Sequence, residues 1–460
     1  EQEPVKGKDT WLEKGFAMTD SLLKWCEANK MYLILDLHAA PGGQGNDFNI
    51  SDRNPQLASL WESEENQRKM ISLWRKLADR YKDEPWIGAY DIINEPNYGF
   101  ADPENDKNGI KEKGNAPLRK LMVDVTAAIR ETDKNHIVII EGNGWGNNYS
   151  GILPAWDTNM VLSFHKYWNN NTQGDISAAL QLREKYNMPL WLGESGENSN
   201  VWFADAIHLA ESNGIGWAFW PLKKIGFNNP LQVVANPGYS KVVEYLHGRG
   251  ERPSAADAKK ALMKLAQHDI QFENNIVHSD VVDAMLRQPT SEVAVPFKNH
   301  RLKSATTTIA AVDYDMGRHT YFDVNSANYH VSTGGERTLW NDGLTYRNDG
   351  VDIGVEKSGK TQTFYVDKVE GGEWLQYTVV VEKPGDYQLQ AKVKTEKNNA
   401  AITVIVNNDI VKEATAISSS PSKWSIQNLT PVTLTKGTNI LRVKAVEGGY
   451  QLSALIFRKL

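Results

Sequence analysis

The sequence predicts an α/β fold, a (β/α)8 TIM barrel, followed by an all-β sandwich of the jelly-roll type. Three observations support this prediction. At 460 residues the chain is too long for one ordinary domain, so two are expected. The first half alternates short apolar runs with longer amphipathic ones, whereas the part after about residue 304 is rich in Val, Thr, Gly and Asn. We therefore expect a barrel domain with a helical C-terminal extension over 1–303 and a β-sandwich over 304–460.

The strand runs of the first half are apolar throughout rather than alternating. This pattern is typical of a parallel sheet that is covered by helices on both faces. The longer runs between them place apolar residues at helical spacing. The predicted strands are 32–37, 87–93, 137–141, 161–165, 190–193 and 215–220, and the predicted helices are 11–28, 64–81, 118–132, 176–186, 201–212 and 239–247.

A closed barrel of this kind needs eight strands, and the sequence shows fewer. The first recognisable element is a helix, so we expect that a β-α-β segment of the barrel precedes residue 1. The chain also begins with Glu1 rather than Met, and no signal peptide precedes it. A processed or truncated start is the expectation.

The second half changes from helices to strands. Residues 252–303 are charged with helical spacing and are expected on the outside of the barrel. After residue 304, alternating runs separated by turn pairs such as Pro384-Gly385 and Asn407-Asn408 predict the sandwich. These runs are 374–381, 387–393, 401–406 and 439–443.

Composition excludes several function classes. The net charge of −6 and the lack of a basic run argue against a nucleic-acid partner or an anionic membrane surface. No apolar stretch approaches the roughly 20 residues that a membrane span needs. The single cysteine, Cys26, lies in a helical pattern and excludes an internal disulfide framework.

Two acids follow apolar runs that read as buried strands. Glu95 closes the run 87–96 in an Asn-Glu-Pro sequence, and Glu194 closes the run 190–194. The C-terminal ends of barrel strands are where such folds build their active sites. Retaining glycoside hydrolysis needs two carboxylates, one acid/base and one nucleophile. We assign these roles to Glu95 and Glu194, with Glu197 as a competing helix-capping acid.

Further strand-end residues could line the same cleft. Asn94 adjoins Glu95, and His38 follows the first strand. His165 and Tyr167 are two residues apart and so share a face. A metal site that uses His38 and His165 is the rival interpretation, although the sequence lacks a close ligand cluster. Two tryptophans at the rim, Trp220 and the weaker candidate Trp145, are expected to stack on sugar rings, with core packing as the alternative.

The chain resembles glycoside hydrolase family 5, the cellulase-like retaining enzymes. The resemblance lies in LDLHAAPGGQ (35–44), DIINEP (91–96), SFHKY (163–167), LGESG (192–196) and GWAFWP (216–221), in the order of the family. It implies an acid/base on Glu95, a nucleophile on Glu194, and substrate positioning by His38, Asn94, His165, Tyr167 and Trp220. An arginine that the family carries near the end of the second strand has no counterpart. The loop 41–44 resembles that of family members acting on β-1,3-linked glucans.

The second domain resembles a family 6 carbohydrate-binding module over roughly 306–460. The matching motifs are 314–317, 346–353 and 372–378. The resemblance implies a sugar held between two aromatic rings, one of them Trp424. Lys368 stands at the other ring position, with Tyr365 nearby, and the polar loop near the C-terminus has Gln451 and Ser453. An acid that often helps to hold a structural calcium appears as Val312, so the resemblance leaves this calcium open.

The leading hypothesis is a retaining β-glycoside hydrolase acting on β-linked glucan or a related polysaccharide or oligosaccharide, without a cofactor. The resemblance further implies a monomer that is secreted, periplasmic or on the cell surface. Two alternatives stay open. One is a non-catalytic polysaccharide-binding protein, and the other is a transglycosylase of the same fold.

Overall fold

The computed structural model describes residues 6–226, 228–303, 305–324, 345–359 and 361–460. It divides into two compact units. Unit 1 extends to Lys166 and adds 173–195 and 210–218. Unit 2 contains 167–172, 196–209 and the chain from Phe219 to Leu460. Among the described residues, no helix is long and apolar enough to cross a membrane.

Unit 1 is built around a parallel sheet whose strands follow one another in chain order. Its strands are β1 (Leu33–Asp36), β2 (Ile87–Asp91), β3 (Ile137–Ile140), β4 (Met160–Lys166), β5 (Leu190–Ser195) and β6 (Gly216–Trp217). The parallel half-barrel confirms the barrel-type fold that the sequence predicts. Within the described ranges β1 pairs with β2 alone, so its other edge carries no strand.

Helices alternate with these strands, as the amphipathic runs predict. They are α1 (Glu13–Ala28), α2 (Glu64–Tyr81), α3 (Ala116–Arg130), the one-turn α4 (Asn143–Gly146), α5 (Ser177–Tyr186) and α6 (Asn200–Ser212), which continues from unit 2 into unit 1. Helix α2 shows why these runs form helices. Ser63 caps its first turn by accepting a hydrogen bond from the Asn66 N–H, and Met70, Trp74 and Ala78 form its buried stripe.

The helical part of unit 2 lies between residues 219 and 299. It contains the strands β7 (Lys223–Lys224), β8 (Leu231–Gln232) and β9 (Ile276–Val277), which form a small sheet, and the helices α7 (Pro237–Leu246), α8 (Ala255–Lys264) and α9 (Ser279–Leu286). A π-helix (Leu265–Asp269) and a short 3₁₀-helix (Phe272–Asn274) complete it. The charged run after residue 252 is thus helical, as predicted.

From residue 300 onward, unit 2 is an all-β sandwich of two sheets, which confirms the predicted second fold. In chain order its strands are β10 (His300–Leu302), β11 (Thr306–Ala310), β12 (Tyr321–Phe322), β13 (Ile353–Ser358), β14 (Thr361–Val369), β15 (Trp374–Val381), β16 (Gly385–Thr395), β17 (Ala401–Val406), β18 (Asp409–Ala416), β19 (Ser425–Leu434), β20 (Gly437–Glu447) and β21 (Tyr450–Lys459). One sheet has the order β10-β15-β20-β17-β18 with β12 beside β15, and the other β13-β14-β21-β16-β19 with β11 beside β21. The first sandwich strand thus begins at His300, before the predicted boundary.

The packing of α2 on the sheet gives a stability prediction. Trp74 is 1% exposed, and its indole Nε1–H donates to the Ile92 carbonyl at 3.0 Å. Trp74→Phe leaves that buried carbonyl unpaired, so we expect the free energy of unfolding to fall by about 1–3 kcal/mol. Urea unfolding measures the change. Trp25→Phe, at a side chain that is 66% exposed, is the control and should change little; equal stabilities of the two variants would contradict the packing role.

Candidate active site

The carboxyl ends of the central strands of unit 1 meet at one edge of the sheet. Because β4 and β5 are parallel neighbours, His165 lies in register with Glu194. Glu95 follows β2, and Glu141 follows β3, the strand between β2 and β4. All four side chains are buried, with Glu141 at 0% exposure and Glu194 at 9%. A cluster of ionisable groups therefore occupies the position at which parallel α/β folds bind ligands.

The imidazole of His165 lies at the centre of this cluster. Its Nδ1 lies 2.7 Å from Glu95 Oε1 and 4.0 Å from Glu194 Oε2. Its Nε2 lies 3.1 Å from Glu141 Oε1. One carboxylate oxygen of Glu95 and one of Glu194 lie within 4.8 Å of each other. The structure thus brings together the two acids that the sequence analysis pairs, and their catalytic roles stay predictions.

The backbone of Glu95 adopts an uncommon conformation. Its φ of +45° lies in the left-handed region, which non-glycine residues rarely occupy. Both of its peptide groups are held by buried side chains. The Glu95 N–H donates to Glu141 Oε2 at 2.7 Å, and Asn97 Nδ2 donates to the Glu95 carbonyl at 2.8 Å. Glu141 and Asn97 therefore fix the direction in which the Glu95 carboxylate points.

Burial and charge set the protonation of the cluster. Burial alone would lower the pKa of His165, but the nearby Glu141 and Glu95 carboxylates raise it well above its usual value. Burial raises the pKa of Glu141, which the positive His165 opposes. Burial, followed by the charges of Glu141 and Asp36, raises the pKa of Asp91 well above its usual range. The folded protein therefore holds protons here at a pH where the unfolded chain releases them.

The predicted neighbours His38 and Asn94 are linked by a buried glutamine. Gln44 Nε2 donates to the carbonyl oxygens of His38 at 2.8 Å and Asn94 at 3.0 Å, and so ties the ends of β1 and β2 together. His38 Nε2 lies 2.6 Å from Asp36 Oδ2. Against the effect of burial, Asp36 raises the pKa of His38. Asn94 is 2% exposed, and its Oδ1 has no hydrogen-bond partner among the described residues.

The three predicted aromatic residues are divided between the units. In unit 1, Trp145 is partly exposed, and its indole Nε1–H donates to Asp47 Oδ2 at 3.2 Å. In unit 2, Tyr167 is half-buried, and Trp220 is 42% exposed with its backbone bridged to Gly196. The roles proposed for all three stay predictions.

Glu197, the competing acid, also belongs to unit 2. Its carboxylate accepts a hydrogen bond from Lys224 Nζ at 2.7 Å. This contact gives Glu197 a structural partner of its own.

Four buried residues at this edge of the sheet carry no role predicted from the sequence: Glu141, Asp91, Gln44 and Asn97. The signal for Glu141 was present, because the run 137–141 ends in an acid in the same way as the runs that carry Glu95 and Glu194. Gln44 lies inside the quoted 35–44 motif. Their partners are distant in sequence, so the contacts themselves become visible only in the fold.

The rival metal interpretation can be compared with the geometry. Among the described residues, the one His/Asp/Glu set whose atoms lie close enough to hold an ion consists of Glu95, His165 and Glu194. It does not include His38, which the rival interpretation requires. The set coincides with the paired carboxylates, which a glycosidase needs without a metal.

The predicted sugar-binding residues of the second domain contact one another. The rings of Tyr365 and Trp424 meet edge to face with centroids 5.3 Å apart, and Lys394 Nζ lies 5.0 Å from the Trp424 centroid. Gln451 Nε2 donates to Asp367 Oδ1 at 2.7 Å. The two rings therefore leave no space for a sugar between them in this arrangement, and their binding role stays a prediction.

Val312, at the position where the resemblance expects a calcium-holding acid, is 2% exposed and lies in the apolar core of the sandwich. An apolar side chain offers no oxygen ligand to calcium. The calcium left open by the resemblance gains no support at this residue.

Two family models match separate parts of the chain. Residues 3–225 match the family model "Cellulase (glycosyl hydrolase family 5)", and 347–456 match "Carbohydrate binding module (family 35)". A carbohydrate-binding module is thus confirmed, and the model that matches it is that of family 35 rather than the expected family 6.

Individual relatives are distant. A β-xylosidase from Phanerodontia chrysosporium is 27% identical over 263 residues, which cover 49% of this chain and 52% of that protein. Endoglucanase C from Acetivibrio thermocellus is 25% identical over 277 residues, covering 47% and 75%. A crystal structure of a glycoside hydrolase is 21% identical with a TM-score of 0.39, covering 47% of this chain and 73% of that one. The chain therefore spans only about half the length of the β-xylosidase.

The Glu141–His165 contact gives a prediction about pH. His165 and its unfolded counterpart are both protonated below the unfolded pKa near 6.5. As the pH rises, the unfolded chain loses this proton first, so the stabilising effect of the raised pKa is lost between pH 6.5 and the folded pKa. Glu141→Gln removes the negative charge that raises the pKa of His165. We expect the free energy of unfolding to fall less steeply with pH in this variant, as measured by urea unfolding from about pH 6 to 9.

Glu131→Gln is the matched control. Glu131 is an acid on the surface whose pKa is lowered by a hydrogen bond from Arg75, so its carboxylate is ionised in both states across this range. Its variant should keep the slope of the wild type. A Glu141→Gln variant with the same slope as the wild type would show that Glu141 does not control the charge of His165.

Proposed function

We propose that this chain, in which residues 3–225 form a glycoside hydrolase family 5 domain and the C-terminal domain is a carbohydrate-binding module, hydrolyses β-glycosidic bonds with retention of configuration. One observation carries the proposal: one carboxylate oxygen of Glu95 and one of Glu194 lie within 4.8 Å of each other. Carboxyl groups about 5–5.5 Å apart suit a retaining enzyme, whereas an inverting enzyme needs about 6.5–9.5 Å to admit a water molecule between them. The close approach of these two carboxylate oxygens supports retention.

The reaction follows in two balanced steps. Glu194 attacks the anomeric carbon while the bond from that carbon to the leaving oxygen breaks, and the leaving oxygen takes the proton of Glu95. Glu95, now a carboxylate, removes a proton from water. The water oxygen then attacks the same carbon and releases the Glu194 carboxylate. Each step inverts the anomeric centre, so the overall result is retention, and no cofactor takes part.

The neighbouring groups support this chemistry through their positions. His165 contacts Glu95 at 2.7 Å and lies 4.0 Å from Glu194, so its imidazole can lower the repulsion between the two carboxylates. The buried Oδ1 of Asn94 can accept a hydrogen bond from a sugar hydroxyl, because no described residue satisfies it. His38 is partly exposed with its Nε2 2.6 Å from Asp36 Oδ2, and we propose that it helps to position the substrate.

The substrate class is a proposal as well. The relatives named above are a β-xylosidase and an endoglucanase, so β-linked xylose and glucose polymers both belong in the first screen. The Gly-rich loop 41–44 adds β-1,3-glucan to the panel. Polysaccharides such as these are degraded outside the cytoplasm because of their size. We therefore also propose a secreted, periplasmic or cell-surface location.

Two substitutions test the catalytic assignment. Glu194→Gln removes the nucleophile, and we expect the turnover of aryl β-glycosides to fall by roughly 10³-fold or more without loss of folding. In Glu95→Ala, a substrate with a good leaving group should still form the glycosyl-enzyme, because that leaving group needs little protonation, and the second step, which lacks its base, should then limit turnover. Added azide should then restore the rate and give a β-glycosyl azide, which NMR identifies.

Glu197→Gln is the control, because Glu197 is the acid that competes with Glu194 in sequence and has its own partner in Lys224. We expect its activity within a few-fold of the wild type. Full activity of Glu194→Gln, or a product of inverted configuration, would refute the proposal. An added acceptor sugar distinguishes hydrolysis from transglycosylation by the products.

A further inference from the structure

Asn348, in the carbohydrate-binding module, makes hydrogen bonds outside the sandwich. It is 0% exposed. Its Nδ2 donates to the Asn198 carbonyl at 2.9 Å and to Asn200 Oδ1 at 3.0 Å, and its carbonyl accepts from the Asn200 N–H at 2.9 Å. Its own N–H donates to Asp280 Oδ2 at 2.8 Å. One module residue therefore holds both the segment 198–200 and helix α9.

Asp280 completes this buried cluster. The same Oδ2 atom also accepts from Asn200 Nδ2 at 2.9 Å, and Asp280 is 1% exposed. Apart from the part-buried bond to the Asn198 carbonyl, the side-chain hydrogen bonds of the cluster join buried groups, so breaking one leaves a polar atom without a replacement partner.

The residues beside Asn348 fix it to the body of the sandwich. Arg347 is 2% exposed, and its guanidinium lies 4.0 Å from the Tyr314 ring centroid and 4.3 Å from that of Phe297. It also donates to the Tyr314 and Asp315 carbonyls. The Asp315 carboxylate in turn accepts from the Thr378 N–H at 2.8 Å. A rigid series of contacts therefore runs from strand β15 to Asn348.

The segment that Asn348 holds follows the proposed nucleophile directly in sequence. Strand β5 ends at Ser195, one residue after Glu194, and helix α6 begins at Asn200. Gly196 has a φ of +155°, and a Cβ there would clash with the Trp220 carbonyl, so the segment also adjoins a predicted sugar-stacking residue. Movement of 196–200 would displace both the end of β5 and the backbone of Trp220.

We infer that Asn348 is a positioning residue for the reaction: the module loop 345–350 holds the segment that links Glu194 to α6. This inference rests on the proposed function. It assigns the module a role besides sugar binding, because the catalytic segment needs it even when the substrate is too small to reach a separate binding site. A displacement of about 1 Å near reacting groups can cost about 10²-fold in rate.

The test uses the full chain and two readouts. In Asn348→Ala we expect amide hydrogen exchange in the peptide 196–203 to speed up by about tenfold or more, as measured by mass spectrometry. We expect kcat for a small aryl β-glycoside to fall by about tenfold or more and KM to rise by a smaller factor, because the contact acts on the nucleophile through β5 and on Trp220 only through its bridge to Gly196. Asp280→Asn, an isosteric change, should give smaller shifts in the same direction and serves if Asn348→Ala does not fold.

Asn439→Ala is the matched control. Asn439 is also a buried module asparagine, at 1% exposure, but its hydrogen bonds join Asn407, Thr435 and Gly437. We expect this variant to lower Tm and to leave both readouts unchanged. Unchanged exchange at 196–203 in a folded Asn348→Ala variant, or equal changes in Asn439→Ala, would overturn the inference. If the wild type cleaves no β-glycoside, the proposed function fails, and the exchange result still decides whether Asn348 holds the segment.

Discussion

The site depends on one buried imidazole placed between carboxylates. His165 contacts Glu95 and Glu141 through its two nitrogens, and Glu194 lies 4.0 Å from Nδ1. Buried carboxylates at such distances repel one another strongly, and only a shared positive charge or proton makes the arrangement stable. The raised pKa of His165, caused by Glu141 and Glu95 against the effect of burial, is the consequence. The same contact that compensates the charge also orients the proposed acid/base.

Much of the fold was predictable because its signals are local. Uniformly apolar strand runs and amphipathic helices specify a covered parallel sheet, and alternation after residue 304 specifies the sandwich. The positions of Glu95 and Glu194 were predictable for the same reason, since each follows a strand. The left-handed backbone of Glu95 was not, because it depends on Glu141, 46 residues later in the chain. The match of the module to a family 35 model rather than family 6 was not predicted, because the expectation relied on three short motifs, 314–317, 346–353 and 372–378.

The boundary between the two domains was also only partly predictable from the sequence. Composition changes near residue 304, but the compact unit that contains the sandwich also contains 196–209. Buried polar groups cause this difference between the change in composition and the extent of the compact unit. Asn200 is hydrogen-bonded to both Asp280 and Asn348, and the guanidinium of Arg347 lies against the rings of Tyr314 and Phe297. Such contacts join segments whose composition differs. A change of composition therefore locates the change of fold but does not show how far a compact unit extends.

The two carboxylates of the site are therefore supported in two different ways. Glu95 is held by its peptide groups, which a neighbouring carboxylate and an amide fix in a strained conformation. Glu194 lies on a regular strand, and its support comes from the ends of that strand, one of which continues into the segment that Asn348 holds. A nucleophile must approach the anomeric carbon within tenths of an ångström, so a strand end that moved freely would lose rate without losing the residue. We infer that buried hydrogen bonds from Asn348 hold that end through the segment 198–200, which would make the module part of the support of Glu194.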